Sequence, residues 1–497
     1  MRKLLPVFIF LVVIFGSFAQ DKTGLNVLES LEFHDKVKSS EVITMHKSGS
    51  GLLGVVRNSS RNLMFDVFNE SLDRVQNKLV AIERKEEYCG QLAYGSFMKV
   101  FTVFAPSKKE RILFCYEFNI ENGTHTKTEL FKADVERNQK LFSGANKRQT
   151  GFAISNDGAY FVISTDNVKK HSNSYTVRVY NSADLAIVYT KAYQENTKKF
   201  YEPNDIFIDN AANVFSLGKL YQEGRAQKKE GKSNYDFVLN KVTQDVVAST
   251  VVEINQDEHI KSLVFSNSES KLRLLGFYSE KKVNNIKGVL RYDVDTEMLK
   301  VSKSKSVFLP EDVYKDLYSK DASEKKKDKE LSSYYIDYVL NDKQGNTYLL
   351  AEEFFVTNVY VATGMNGGGY WQTVYHYDDI LVLKFNTEGT LEWGRSIFKR
   401  SGAPSYNAFV KKGELHVILN SGKNLKEKED GRVKVSKGLF ESSALYDITY
   451  NEAGDVKYNK IQDNKKNKYY LPFYGIFNAE RFITISGGLE KKFLILE

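Results

Sequence analysis

The sequence predicts an all-β chain assembled from repeated four-stranded antiparallel sheets. Strand-sized apolar runs separated by hairpin turns recur along the whole length, aromatic residues abound, and proline is scarce. There are 30 tyrosines and 33 phenylalanines against six prolines in 497 residues; aromatic side chains suit strands, and proline interrupts a sheet ladder. The unit is clearest between Tyr338 and Ile397. Tyr338-Val339-Leu340 passes through the turn Asn341 to Asn346 into a second strand, Thr347 to Phe355, and a glycine-rich excursion, Thr363 to Tyr377, follows. Asp379 to Phe385 then turns over Asn386-Thr387-Glu388-Gly389 into Thr390 to Ile397. Four strands joined by hairpins, with weaker copies elsewhere, imply a β-propeller.

The copies follow in order. The first covers Val42 to Ile82, with Gly51–Arg57, Leu63–Phe68 and Arg74–Ile82 as strands. The second, Gly95 to Ala133, has Phe97–Phe104, Arg111–Phe118 and Thr126–Phe131. The third, Thr150 to Tyr193, turns at Ser155-Asn156-Asp157-Gly158 and again at Asn181 to Asp184. The fourth runs from Asn204 to Ile254 and the fifth from Lys261 to Phe308. The stretch described above is the sixth, and Tyr406 to Ile461 is the seventh. Only three strands remain after Phe473, while Leu25 to Phe33 at the other end has no hairpin partner. Pairing the two would complete an eighth blade and remove an exposed edge. Eight blades is the expected count, and merging two early sheets would make it seven. Pro203, Pro404 and Pro472 each precede an expected innermost strand, and Pro310 follows the fifth sheet.

Residues 1–20 read as a secretory signal: Arg2 and Lys3, then an apolar run from Leu4 to Phe15, then small residues at Gly16, Ser17 and Ala19. The expected organisation is therefore a signal at 1–20 and one propeller domain at 21–497. The protein is expected to be exported, whether periplasmic, cell-surface or secreted, with no transmembrane segment after cleavage. The formal charge of +8 is spread among interspersed acids and bases, which argues against a nucleic-acid partner. Cys89 and Cys115 are the two cysteines. A disulfide between them and two free buried thiols are equally compatible with the sequence.

Strand order sorts the loops. Connections between second and third strands leave on the same face as the blade-to-blade connections. The long segments Gln222–Asn234, Pro310–Ser333, Thr363–Tyr377 and Ser421–Ser443 all belong to that class, and function concentrates on long loops held by a rigid scaffold. Within them Tyr370, Trp371, Tyr375, His376 and Tyr377 combine apolar faces with polar ends beside three glycines, a composition suited to a protein partner. Pro310 can start a helix with Val313, Tyr314 and Leu317 on one face, and the charged run after it reads as a solvated segment.

No metal or cofactor motif is present: the turns do not fit a calcium loop, the seven histidines lack H-x-x-x-H spacing, and no G-x-S-x-G occurs. No cofactor is therefore expected, and the chain is expected to be monomeric. Asp205 and Asp337, at the starts of innermost strands, are the carboxylates available to a hydrolase acting on carbohydrate or peptide, the alternative to a binding module.

The segment Asp379-Ile380-Leu381-Val382-Leu383-Lys384-Phe385-Asn386-Thr387-Glu388-Gly389-Thr390-Leu391-Glu392-Trp393 resembles a repeat unit of exported bacterial β-propeller proteins. It is also distantly similar to the quinoprotein dehydrogenase repeat, whose tryptophan recurs from blade to blade; Trp393 has no counterpart in the other blades. The resemblance implies a fold, and one fold carries many functions.

Overall fold

The computed structural model describes residues 24–497 except 36–39, 60, 136–140, 142–150, 168–173, 195–198, 230–231, 256, 269–270, 281–284, 304–305, 327–329, 363–368, 438–440, 466–468 and 479. The signal assigned to residues 1–20 lies outside the described residues.

Eight antiparallel sheets follow one another along the chain, and together they make an eight-bladed propeller. The innermost strands are Glu41–Lys47, Glu86–Tyr94, Phe152–Ile154, Tyr201–Ile208, His259–Ser268, Tyr334–Asn341, Tyr406–Lys411 and Ile476–Asn478. The second blade differs from expectation. Its innermost strand, Glu86–Tyr94, lies ahead of the expected start at Gly95, because Cys89-Gly90 interrupts the apolar alternation that marks a strand. The register slips there, between Tyr88 and Gly90. Equivalent slips occur in the innermost strands of the first, fourth, fifth and sixth blades, leaving Ile43, Asn204, Lys261 and Asp337 as the extra residues. A bulge bends an edge strand and strengthens its twist, which suits strands packed around an axis. Pro203 is inside its strand rather than before it. It tolerates the position because an innermost strand pairs on one side only and the bulge adjoins it.

The last blade is shared between the termini. Val27–Glu29 pairs antiparallel with Phe493–Leu496, which pairs in turn with Arg481–Ile485. Phe33–His34 forms a second short ladder with Glu490–Lys491, so the expected single strand from Leu25 to Phe33 is two short ones. The reason is the polar break at Ser30, whose Oγ accepts the backbone N–H of Phe493 at 2.9 Å. Behind this seam Arg57 is fully buried. Its guanidinium donates to Asp35 at 2.5 Å, to Asp66 at 2.8 Å and to Ser40 at 3.1 Å.

Hydrophobic cores fill the wedges between adjacent blades. Between the fourth and fifth, for example, Phe215, Leu217, Leu239, Leu263, Leu274 and Leu290 pack together. Polar ties repeat around the ring. Tyr175 Oη donates to Tyr201 O at 3.1 Å and Tyr235 Oη to Ile260 O at 2.8 Å. Asn407 Nδ2 donates to Gly475 O at 2.7 Å, and Asn478 Nδ2 to Met45 O at 2.9 Å. The last of these crosses the closing seam.

Candidate functional site

The long connections gather at one face. The glycine-rich excursion of the sixth blade is mostly strand: Thr347–Ala362 and Gly369–Phe385 pair continuously, and only residues 363–368 at the tip fall outside the described residues. The blade's innermost strand accompanies this hairpin only as far as Glu353, and its outer strand only as far as Ile380. Nine register pairs, from Phe354–Tyr377 to Ala362–Gly369, continue beyond both. At about 3.3 Å per residue they form a two-stranded arm about 30 Å long. Glycines at its tip make the excursion read as a loop in sequence; in the structure the β-branched and aromatic residues on either side prevail.

Residues 354–377 contain no Asp, Glu, Lys or Arg, in a chain that is 27% charged. Acidic pairs flank them, Glu352-Glu353 on one strand and Asp378-Asp379 on the other. The root carries buried charge. Glu352 accepts from Lys399 Nζ at 2.9 Å, with both side chains almost wholly buried. Asp379 accepts from Arg400 at 2.7 Å. Burial pushes the Asp379 carboxyl above its ordinary value, and Arg400 opposes that rise. Glu353 faces both Asp378 and Asp379 where the register slips, so a bulge separates blade from arm.

Alternation along the arm divides the expected contact residues. Register positions 375 and 377 fall on one side of the ribbon and 376 on the other. Tyr375 is 52% exposed and lies opposite Val356, which is 45% exposed, so the pair presents an apolar surface to solvent. Tyr377 is half-buried and packs on Phe354, with ring centroids 4.9 Å apart. His376 stacks on Phe355 at 4.4 Å, and its Nε2 is 2.8 Å from Thr357 Oγ1. Tyr370 and Trp371 pair in register with Val361 and Tyr360.

The expected helix is present as Glu311–Leu317, followed by a second at Lys320–Lys326. The first is docked rather than solvated. Val313, Tyr314 and Leu317 are buried, and Asp316 accepts two bonds from Arg395 at 2.8 and 2.9 Å and one from Ser396 N at 2.9 Å. Beside the arm root a cleft of about 340 Å³ opens between the sixth, seventh and eighth blades, lined among others by Arg400, Ser405, Ser421, Tyr469 and Phe473.

Asp205 and Asp337 tie blades together. Asp205 accepts from Ile206 N at 3.0 Å and from Phe265 N of the next blade at 2.8 Å. Asp337 accepts the Tyr406 hydroxyl, also of the next blade, at 2.9 Å. Each is thus bound to a neighbour in its own wedge. Among the described residues no group of three or more His, Cys, Asp or Glu is placed to hold a metal ion, and no helix is long and apolar enough to cross a membrane.

No family profile matches the chain, nor does any curated protein sequence. Several solved structures resemble it in shape. The WD40 domain of SCAP from fission yeast is 10% identical with a TM-score of 0.40, each chain being covered to 96%. Dipeptidyl peptidase 4 of Porphyromonas gingivalis is 10% identical with a TM-score of 0.44, over 91% of this chain and 60% of that one. A polysaccharide lyase is 8% identical with a TM-score of 0.40, over 92% and 99%. Nothing about activity passes from them to this chain.

Proposed function

We propose that this protein is a non-catalytic, exported propeller that binds a protein component of the cell envelope through its long-loop face, with the arm of the sixth blade as the principal contact. The uncharged arm supports this reading. Natural sheets protect free edges with charge, proline or a covering element, because an unpaired ladder recruits other strands. Among the described residues no third strand flanks the arm from Phe355 outward, and residues 354–377 contain neither charge nor proline. Such a ribbon is costly alone and useful when a partner covers it. Export rests on the pattern of residues 1–20.

The test is the double substitution Tyr370→Ala and Trp371→Ala, with melting temperature and partner capture from the native envelope measured on the same protein. An arm that serves binding gives a nearly unchanged melting temperature and weakened capture. Aromatics that only brace the scaffold give a lower melting temperature instead, and unchanged capture by a normally folded variant moves the contact surface elsewhere.

A further inference from the structure

Two lysines at the long-loop end of the fourth and fifth blades lack the partners that other buried lysines have. Lys219 lies near the end of the second strand of the fourth blade, Val214–Tyr221, and is 7% exposed. Lys261 is the extra residue in the bulge of the fifth innermost strand and is 9% exposed. Elsewhere a buried ammonium meets oxygen. Lys99 donates to Ser182 O and Ala183 O, both at 2.7 Å, Lys384 to Glu452 O at 3.1 Å, and Lys399 to Glu352 at 2.9 Å. Among the described residues Lys219 and Lys261 have no hydrogen-bond acceptor and no ion pair. They rest on aromatic faces, Lys219 at 4.5 Å from the Tyr235 ring and 5.8 Å from Phe237, Lys261 at 4.9 Å from Tyr335.

The two sites adjoin, because the Tyr235 hydroxyl donates to the carbonyl of Ile260, the residue before Lys261. Glu202 is the register partner of Lys219, but its carboxylate accepts the Tyr221 hydroxyl at 2.6 Å. Burial lowers the affinity of both lysines for their protons, Lys219 further depressing Lys261 and Glu202 partly restoring Lys219. The side chains are largely buried while their ammoniums reach solvent, so an ion can enter, and contact with an aromatic face offsets only part of what each charge loses on burial. An oxyanion between the two ammoniums would supply the missing acceptors.

We propose that Lys219 and Lys261 form an oxyanion-binding site, with Tyr235 and Tyr335 as its aromatic walls, that takes the carboxylate or phosphate of a small molecule. Tyr335 belongs to the sixth blade, where its ring lies 6.1 Å from that of Phe354, so the site abuts the arm root; the proposal does not depend on the binding role of the arm.

The experiment is calorimetric titration of the full mature chain with inorganic phosphate and, separately, acetate, at ionic strength held constant with sodium chloride. Wild type, Lys219→Met, Lys261→Met, the double variant and Lys261→Arg are compared. Saturable one-site binding of at least one probe by the wild type is expected, weakened at least tenfold in each methionine variant and restored by arginine at position 261. The probe that binds more tightly identifies the oxyanion class. Absence of saturable binding of both probes by the wild type overturns the proposal, as does equal binding by a double variant whose near-ultraviolet circular dichroism is unchanged.

Discussion

The shared last blade makes Phe33 a point where closure can be measured. Phe33 is 7% exposed and packs on Phe493 and Phe68, with ring centroids 5.5 and 6.3 Å away. The Arg74 guanidinium sits 4.4 Å over its face. Truncating a buried phenylalanine to alanine costs about 3–5 kcal/mol through lost transfer energy and the cavity left behind. Unfolding entropy near 2.1 cal/mol/K per residue, summed over about 470 residues, makes each kcal/mol worth about 1 °C. Phe33→Ala should therefore lower the melting temperature by about 3–5 °C. Leu31, two residues earlier, is 69% exposed, so Leu31→Ala should change it by less than about 0.5 °C. Deleting residues 21–36 should do far more harm, since it removes the partner of Phe493–Leu496 and the Asp35 carboxylate that Arg57 binds. Differential scanning calorimetry of the four proteins is the assay. A Phe33→Ala variant that melts like Leu31→Ala, or a deletion that melts like the protein without it, would refute closure by the N-terminal segment.

Three further outcomes follow from particular contacts. Cys89 and Cys115 are free, on the first and third strands of the second blade; Phe101 on the strand between them pairs with Cys115 and with Gly90, the residue after the bulged Cys89. Two strand spacings make about 9.5 Å, beyond a disulfide's reach. Mass analysis of the protein without reductant should show no loss of two hydrogens, and both thiols should alkylate only after denaturation. Burial pushes the Cys115 thiol up to about 12, which agrees with an inert thiol. Lys261, facing Lys219 and Tyr335, has its proton affinity lowered from 10.5 to about 8 by burial and by the Lys219 charge. The unfolded chain then holds the proton more tightly, so the cost is complete below pH 8 and is relieved as pH rises from about 8 to 10.5. At about 1.4 kcal/mol per pH unit, the stability advantage of Lys261→Met over wild type in urea unfolding should shrink by about 3 kcal/mol across that window; a pH-independent difference would contradict it. Asp316→Asn, which weakens the helix's grip on Arg395 and Ser396, should cost about 1–3 kcal/mol in the same measurement.

The blades were legible wherever an apolar strand met a turn that only a few residues can make, as at Asn386-Thr387-Glu388-Gly389, where Gly389 adopts a φ of 78°. The terminal closure was legible from strand counting alone. The innermost strands were harder to read, because five contain bulges that break the alternation on which strand recognition depends. The arm was readable in part. Its charge-free composition and its flanking acids are plain in the sequence, but glycine at the tip disguised two long strands as a loop. The lysine pair was not readable at all. Lys219 and Lys261 lie 42 positions apart in a chain rich in lysine, and only the wedge between two blades brings them together.

The sixth blade combines the most regular repeat with the largest departure from it, and its surroundings explain how both persist. Trp393 stacks on Tyr450 at 5.7 Å and donates to Glu452 O at 3.0 Å, fixing the outer strand to the seventh blade. Asp316 fixes the same strand to the inserted helix, and Lys399 bonds Glu352 where the arm begins. Beyond the root, the ribbon relies on its own cross-strand ladder. A two-stranded ribbon without a third strand or a packed face is only marginally stable in water. The anchors therefore hold the base and direction of the arm, while its outer part contributes little to the stability of the propeller. That separation is why changes near the tip should register in partner capture while those at Asp316 and Phe33 register in melting. Loss of both properties from a tip variant would mean that the arm is part of the scaffold.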